Sequence, residues 1–323
     1  MSKLLILDSF NFFHRAYYAI PNTLTAPNGS PINAIFGFTS MLINIFGLIK
    51  PDFVVAAMES KEETERKKLF AEYKAQRKPM DDELKQQIPV LFEVLDAFGI
   101  RDISVSGYEG DDVIGSLVTQ YKKDAEIIIA SNDRDLWQLV GNGVMVMSPK
   151  NNGSAADWIG SREVRAKYGF GPELVVDYKA LTGDPSDNIP GVSGVGKVTA
   201  TKLLLKYGDL DGIYAHLSEI SGSVGKKLEE GREAAFLSRG LARVVQDLPL
   251  GVVLEDCRFD GLGKDATCVE GARAVLEKYA FYSLIKRLGG LSGGSLGGAD
   301  SSNLLSRNSS LTASKPNQPG LFE

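Results

Sequence analysis

The chain has 323 residues, 43% of them hydrophobic and 24% charged, with a formal net charge of -5. This is the composition of an ordinary soluble globular protein with room for more than one structural unit. No apolar run approaches the length needed to cross a bilayer, Asp8 interrupts the only apolar stretch that might serve as a signal peptide, and two cysteines, Cys257 and Cys268, are too few for a disulfide framework or a zinc site. The expectation is a cytoplasmic protein with free thiols and no membrane partner. The negative total does not exclude nucleic acid, because a DNA-binding face needs only local positive potential.

In chain order, short β-rich runs occur at residues 4–7, 53–58, 103–106, 126–130 and 144–147. Segments of helical period stand between them, including residues 34–48 and 82–98. Phe36, Met41, Leu42 and Ile45 form a core stripe in the first of these. Such alternation predicts an α/β unit with a largely parallel sheet flanked by helices, whose site forms outside the carboxyl ends of the strands.

The acids keep to those ends. Asp8 follows the first strand and Glu59 the second. Glu109, Asp111 and Asp112 open the helix after the third, and Asp133 and Asp135 follow the fourth. Asp184 and Asp187 stand in a turn rich in Asp and Pro at residues 182–190. One Asp at a helix start is an ordinary cap, but three acids within four residues exceed what capping requires. Carboxylates gathered from distant segments repel one another and lose solvation, so the pattern predicts counter-charge from hard divalent cations, Mg²⁺ or Mn²⁺. Phosphodiester hydrolysis by two metal ions is the reaction this suggests.

Residues 61–78 carry seven Lys or Arg against four Glu. A solvated helix held by Glu–Lys pairs is one reading. On a helix, however, Arg66, Tyr73 and Arg77 share one face with Lys74 one step round, a basic stripe with an aromatic that suits single-stranded nucleic acid.

Residues 161–288 are helical in pattern, with a strand conceivable only at 251–254. Within them, Gly191, Gly194, Gly196 and Lys197 admit two readings. As a phosphate loop the segment lacks the hydroxyl after the lysine, since position 198 is Val, and no strand precedes it. As a helix–hairpin–helix it exposes backbone amides before a helix at residues 199–207, which grip a DNA phosphate without reading sequence. His14 and His216 have no acidic or nucleophilic neighbour in sequence and receive no role.

Residues 289–323 are rich in Gly, Ser and Asn and read as a disordered tail. The tail closes on Gln318, Leu321 and Phe322 in a Q-x-x-L-F pattern that fits a sliding-clamp peptide or an inert end. The expected organisation is a catalytic unit over 1–160, a helical DNA-binding unit over 161–288 and the tail, with no polymerase domain after it.

The stretches LLILD, AEYKAQRKPM, GYEGDDVIG, SNDRDLWQL and TGDPSDNIPGVSGVGKVTA, in this order over residues 4–288, resemble the flap endonuclease family, specifically the 5′-nuclease found at the front of bacterial DNA polymerase I or as a standalone protein. The resemblance implies a PIN-like sheet, a helical arch over the site and a helix–three-turn–helix that holds duplex DNA. It implies that Asp8, Glu109 and Asp111 bind one metal and that Asp133, Asp135 and Asp187 bind the other, with Asp112 and Asp184 in support. Lys74 and Arg77 would meet the scissile phosphate, Tyr73 would stack on a base, and hairpin carbonyls near Val192 and Val195 would bind K⁺. Glu59 departs from the family pattern, which has Asp there, and its ligand role is open. The implied activity is that of a metal-dependent 5′–3′ exonuclease and flap endonuclease of replication and repair, acting as a monomer on 5′ flaps, nicks and RNA–DNA junctions. A catalytically weak DNA-binding protein of the same fold, an RNA-directed PIN-type nuclease and a nucleotide hydrolase are the alternatives.

Overall fold

The computed structural model describes residues 1–150, 155–259 and 266–291, so the proposed clamp-binding residues Gln318, Leu321 and Phe322 lie outside the described residues. A six-stranded sheet organises the first part of the chain. Its strands are β1 (Lys3–Asp8), β2 (Phe53–Ala57), β3 (Arg101–Ile103), β4 (Glu126–Ala130), β5 (Val144–Pro149) and β6 (Ala156–Ile159), in the spatial order β3-β2-β1-β4-β5-β6. All neighbours are parallel except β5 and β6.

The strand residues alternate between two cores because successive side chains point to opposite faces. Leu4, Ile6, Ile127 and Ile129 enter the core shared with helix α6 (Gly110–Tyr121). Leu5, Leu7, Ile128 and Ala130 enter the core shared with α1 (Ser9–Ala19), α2 (Asn33–Ile49) and α5 (Ile88–Ala97). Both faces are covered, which is why these strands read as unbroken apolar runs.

Three expectations shift. The third strand lies at Arg101–Ile103 rather than 103–106, since the Ile103 carbonyl accepts the Met58 amide and Gly107 then turns the chain at positive φ. The helix read over 82–98 is two, α4 (Asp82–Lys85) and α5, because Pro89 lacks the N–H that would continue the ladder. At the break, Gln87 accepts the Ala34 amide at 3.0 Å and so caps α2, whose own N-cap residue supplies no side chain. No strand forms at 251–254, where the chain enters a short 3₁₀ turn at Leu254–Cys257.

Between β2 and α4 the basic segment holds only one short helix, α3 (Glu65–Leu69), followed by turns through residues 71–77. After β6 the described chain is helical: α7 (Ser161–Tyr168), α8 (Val175–Thr182), α9 (Lys197–Tyr207), α10 (Leu210–Ala215), α11 (Gly222–Glu230), α12 (Arg232–Ala242), α13 (Ala266–Lys278) and α14 (Tyr282–Leu291). Among the described residues no helix is long and apolar enough to cross a membrane.

Candidate active site

The sheet order reverses at β1, with β2 on one side and β4 on the other, and a crevice opens outside their carboxyl ends. Asp8 closes β1 and caps α1. Buried there, it accepts hydrogen bonds from the Ser131 hydroxyl at 2.5 Å and the Asn11 amide at 3.4 Å. Ser131 leaves β4 and also receives the Asp133 amide at 2.9 Å, while Asp133 in turn accepts the Asp135 amide at 2.8 Å. Asp111 stands in the first turn of α6, and Glu59 leaves β2 to accept the Gly110 amide at 3.3 Å.

These four segments bring like charges together. Burial pushes Asp8 up to about 7, with Asp133 and Glu59 raising it further against the pull of the Ser131 hydroxyl. Burial holds Asp111 well above the usual carboxylate range, with Asp133 and Asp8 next in effect. Glu59 faces solvent, yet the protein packed around it and the Glu109 charge raise it against Lys74.

Cationic side chains interleave with the acids. The Lys74 ammonium sits 2.8 Å from Glu109 Oε1 and 3.9 Å from Asp187 Oδ2. Arg77 reaches Asp187 Oδ1 at 2.5 Å, and the Lys74 amide donates to the Asp187 carbonyl at 2.9 Å. Lys74 takes a left-handed backbone at φ 54°, an uncommon conformation for a non-glycine residue and one that the Asp187 contact secures. Deeper in, the Lys179 ammonium of α8 bridges Asp135 and Asp184, at 2.6 Å from the latter. Burial pushes Asp135 up to about 6 despite Lys179. At Asp184 burial is outweighed by the Lys179 and Ser186 hydrogen bonds, which keep it below its ordinary value. Among the described residues no three acidic, histidine or cysteine side chains close tightly enough to cage an ion as they stand. The chain's own lysines and arginine hold the outer carboxylates instead.

A groove of about 1110 Å³ leads from Asp133, Asp135 and Asp184 past Tyr168 to Lys197 and Lys202 at the start of α9.

Two family models cover most of the chain: the 5′–3′ exonuclease N-terminal resolvase-like domain matches residues 3–169, and the 5′–3′ exonuclease C-terminal SAM fold matches residues 170–265. The chain belongs to the 5′–3′ exonuclease family. It is 45% identical to DNA polymerase I of Caldicellulosiruptor bescii over 89% of this chain and 33% of that protein. It is also 35% identical to the thermostable DNA polymerase I of Thermus thermophilus over 90% of this chain and 34% of that protein. It thus spans about a third of the length of these relatives. Its fold is shared by the bacteriophage T5 D15 flap endonuclease, solved as a pseudo-enzyme–product complex with DNA and metal ions (TM-score 0.60, 18% identity, 90% of this chain and 100% of that one). The zinc-bound T5 5′-exonuclease gives a TM-score of 0.61 at 19% identity over 90% of this chain and 99% of that one.

Within this family frame the structure separates the sequence-picked residues. Asp8, Glu59, Asp111 and Asp133 interact directly, and Glu109 and Asp187 join them through Lys74. Asp135 and Asp184 join through Lys179, which sequence reasoning missed; its only signal was a lysine in the last turn of the helix that leads into Asp184. Asp112 does not face the crevice. It is fully buried, and its oxygens are taken by Arg66, the Glu109 amide and the Val245 amide. Arg66 is likewise buried and offers nothing to DNA. Tyr73 is 3% exposed, packs with Ile189, Leu241 and Ala242, and donates its hydroxyl to Glu109 at 3.0 Å, so it has no free face for a base. The shared helical face of Arg66, Tyr73 and Arg77 fails because the helix stops at Leu69.

The helix after the glycine-rich hairpin begins at Lys197 rather than at 199. The first helical bond of α9 runs from the Ala200 amide to the Gly196 carbonyl, which leaves the preceding amides of that turn without helical partners. Lys197 and Gly196 are exposed, whereas Gly191 is buried with its amide on the Ser238 hydroxyl at 2.9 Å. Of the carbonyls expected to hold K⁺, that of Val192 accepts the Val195 amide, and the neighbouring Gly194 carbonyl takes the Lys227 ammonium at 3.1 Å.

Proposed function

We propose that the chain is a metal-dependent, structure-specific 5′–3′ exonuclease and flap endonuclease, acting as a monomer on DNA with 5′ flaps, nicks or RNA–DNA junctions. The observation that carries this reading is the convergence of Asp8, Glu59, Asp111 and Asp133 outside the carboxyl ends of β1, β2 and β4 at the sheet's reversal point, where burial first and then the neighbouring carboxylate charges raise Asp8 and Asp111. All the donors are carboxylate oxygens, the chemistry of a Mg²⁺ or Mn²⁺ site, and a cation there would relieve the repulsion that raises them. Asp8, Glu109 and Asp111 would hold one ion, and Asp133, Asp135 and Asp187 the other, with Asp184 and Glu59 in support. When bound, two such ions activate the attacking water and offset charge on the leaving 3′ oxygen.

The chain's own residues orient the substrate. Lys74 and Arg77, set by the Asp187 backbone and side chain, would offset charge on the phosphoryl oxygens. The unpaired amides before Ala200, with Lys197 beside them, would grip a duplex phosphate, and the groove joins that grip to the acids. A K⁺ ion at the hairpin would share it with the Lys227 ammonium.

A labelled 5′-flap duplex with Mg²⁺ tests the proposal. Asp111→Ala should abolish cleavage while retaining DNA affinity, and cleavage by that variant at the wild-type rate would overturn the assignment. The nucleotide-hydrolase alternative has no support in the structure, since Val198 is exposed where a hydroxyl would be needed.

A further inference from the structure

Arg66 is the most thoroughly engaged cation among the described residues, and the reaction as proposed gives it no task. Its guanidinium has five N–H groups and makes five hydrogen bonds. Nε donates to the Leu241 carbonyl at 2.9 Å and Nη2 to the Arg243 carbonyl at 2.8 Å, so two donors fasten the short helix of the basic segment to the end of α12. The fork meets Asp112 bidentately, Nη1 to Oδ2 at 2.7 Å and Nη2 to Oδ1 at 2.6 Å. The remaining donor on Nη1 reaches Glu109 Oε2 at 3.2 Å.

The consequence falls on Glu109. Its Oε2 is held from one side by Arg66 and from another by the Tyr73 hydroxyl at 3.0 Å. Its backbone amide is held by Asp112, which Arg66 itself orients. Only Oε1 faces the cluster, where Lys74 now meets it. A carboxylate on a flexible side chain would otherwise sample several rotamers and offer either oxygen.

We propose that Arg66 is a positioning residue that fixes Glu109 so that Oε1 alone is presented to a divalent ion, with Tyr73 as the second holder of Oε2. This rests on the reading of Glu109 as a metal ligand. The assignment needs arginine, because lysine has no planar fork and cannot grip both Asp112 oxygens while also reaching Glu109.

Two variants test it. Arg66→Lys keeps a buried positive charge beside Asp112, and Tyr73→Phe removes one bond to the buried Glu109 Oε2 without removing any charge, so Tyr73→Phe keeps the test open if Arg66→Lys folds poorly. The readouts are the Mg²⁺ midpoint fitted as a dissociation constant to the logarithmic Mg²⁺-induced rise in unfolding temperature, the half-saturating Mg²⁺ for flap cleavage, and flap affinity in EDTA. Residues that orient a metal ligand are worth about 10–100-fold in metal affinity, so Arg66→Lys should raise both Mg²⁺ midpoints by about tenfold or more. Tyr73→Phe should move them in the same direction by less, and EDTA flap affinity should stay within about twofold in both. A purely structural arginine would lower the unfolding temperature and leave the midpoints alone, and that result in both variants would overturn the proposal. A wild-type chain with neither a Mg²⁺-induced rise nor cleavage would instead bring down the nuclease reading, and this proposal with it.

Discussion

Gly191→Ala isolates a constraint that the hairpin's sequence pattern conceals. Gly191 sits at φ +63°, and a Cβ there would lie 2.2 Å from the Gly183 nitrogen, 2.7 Å from the Gly183 Cα and 2.7 Å from the Thr182 carbonyl carbon. Every one of those atoms is backbone, so no side chain can swing away. The left-handed conformation costs an L-residue about 1–2 kcal/mol, and forcing a methyl into a packed site about 1–3 kcal/mol, which together give on the order of 2–5 kcal/mol. At roughly 2–4 °C per kcal/mol for a chain of this size class, the unfolding temperature should fall by about 10 °C. The damage should reach the site as well. Gly183 and Gly191 flank the loop that carries Asp184 and Asp187, closed by the Asp184 and Ile189 backbones at 2.9 Å in both directions. Spreading the two glycines would draw Asp187 away from Arg77 and Lys74. Thermal unfolding and flap cleavage should therefore both suffer, with cleavage reduced even at temperatures where the variant is folded. Gly196→Ala is the control. Gly196 has φ −89° and nothing within 4 Å of its Cβ position, so the change should cost about 1 kcal/mol or less at this cap. A Gly191→Ala protein within 1 °C of wild type would refute the reasoning.

Three further outcomes are expected. In the folded state without metal, Asp8 holds its proton up to about 7 and Asp111 also titrates high, whereas both lose it near 3.8 when unfolded. The native state then binds more protons, so metal-free stability falls as pH rises from about 4 to 7, and Mg²⁺ should raise the unfolding temperature more at pH 8 than at pH 5. Equal shifts measured calorimetrically at the two pH values would contradict this. Lys179→Met removes the ammonium between Asp135 and Asp184 and should cost the metal-free protein about 3 kcal/mol, partly restored by Mg²⁺; an unchanged urea midpoint without metal would count against it. Burial, and then Asp256, push the Cys257 thiol up to about 11, so a thiol reagent at pH 8 should modify the partly exposed Cys268 first and Cys257 only on unfolding. Two thiols reacting at one rate in the native state would show that Cys257 is accessible.

Much of the sheet was legible in the sequence because of its covering. β1, β2 and β4 are apolar on both faces, so each run ends abruptly at the first polar residue, and at β1 that residue is Asp8 itself. β6 escaped detection because its Ala156–Ile159 segment is short, packs antiparallel at the edge and leaves Asp157 and Trp158 exposed, giving neither an apolar run nor alternation. The boundary at β3 moved because residues 103–106 alternate apolar and polar as a strand would, while Val105 and Ser106 stand beyond the last paired residue, Ile103.

The residues around Glu109 show why the site was only half readable. Helical periodicity places side chains on a face and says nothing about what that face meets. Arg66, Tyr73 and Arg77 share a face only while the helix lasts. Once the chain turns after Leu69, Arg66 reaches Leu241 and Arg243, while Tyr73 enters a cluster with Ile189, and the partners lie more than a hundred residues away. The basic segment therefore divides its labour in a way composition hides. Arg66 and Tyr73 are spent inside the protein fixing Glu109, while Lys74 and Arg77 remain at the crevice. Lys74 touches both sets, since its ammonium sits on the one Glu109 oxygen that Arg66 and Tyr73 leave open. A cation bound at that oxygen and the Lys74 ammonium exclude each other, so filling the site should free Lys74 to meet a phosphate.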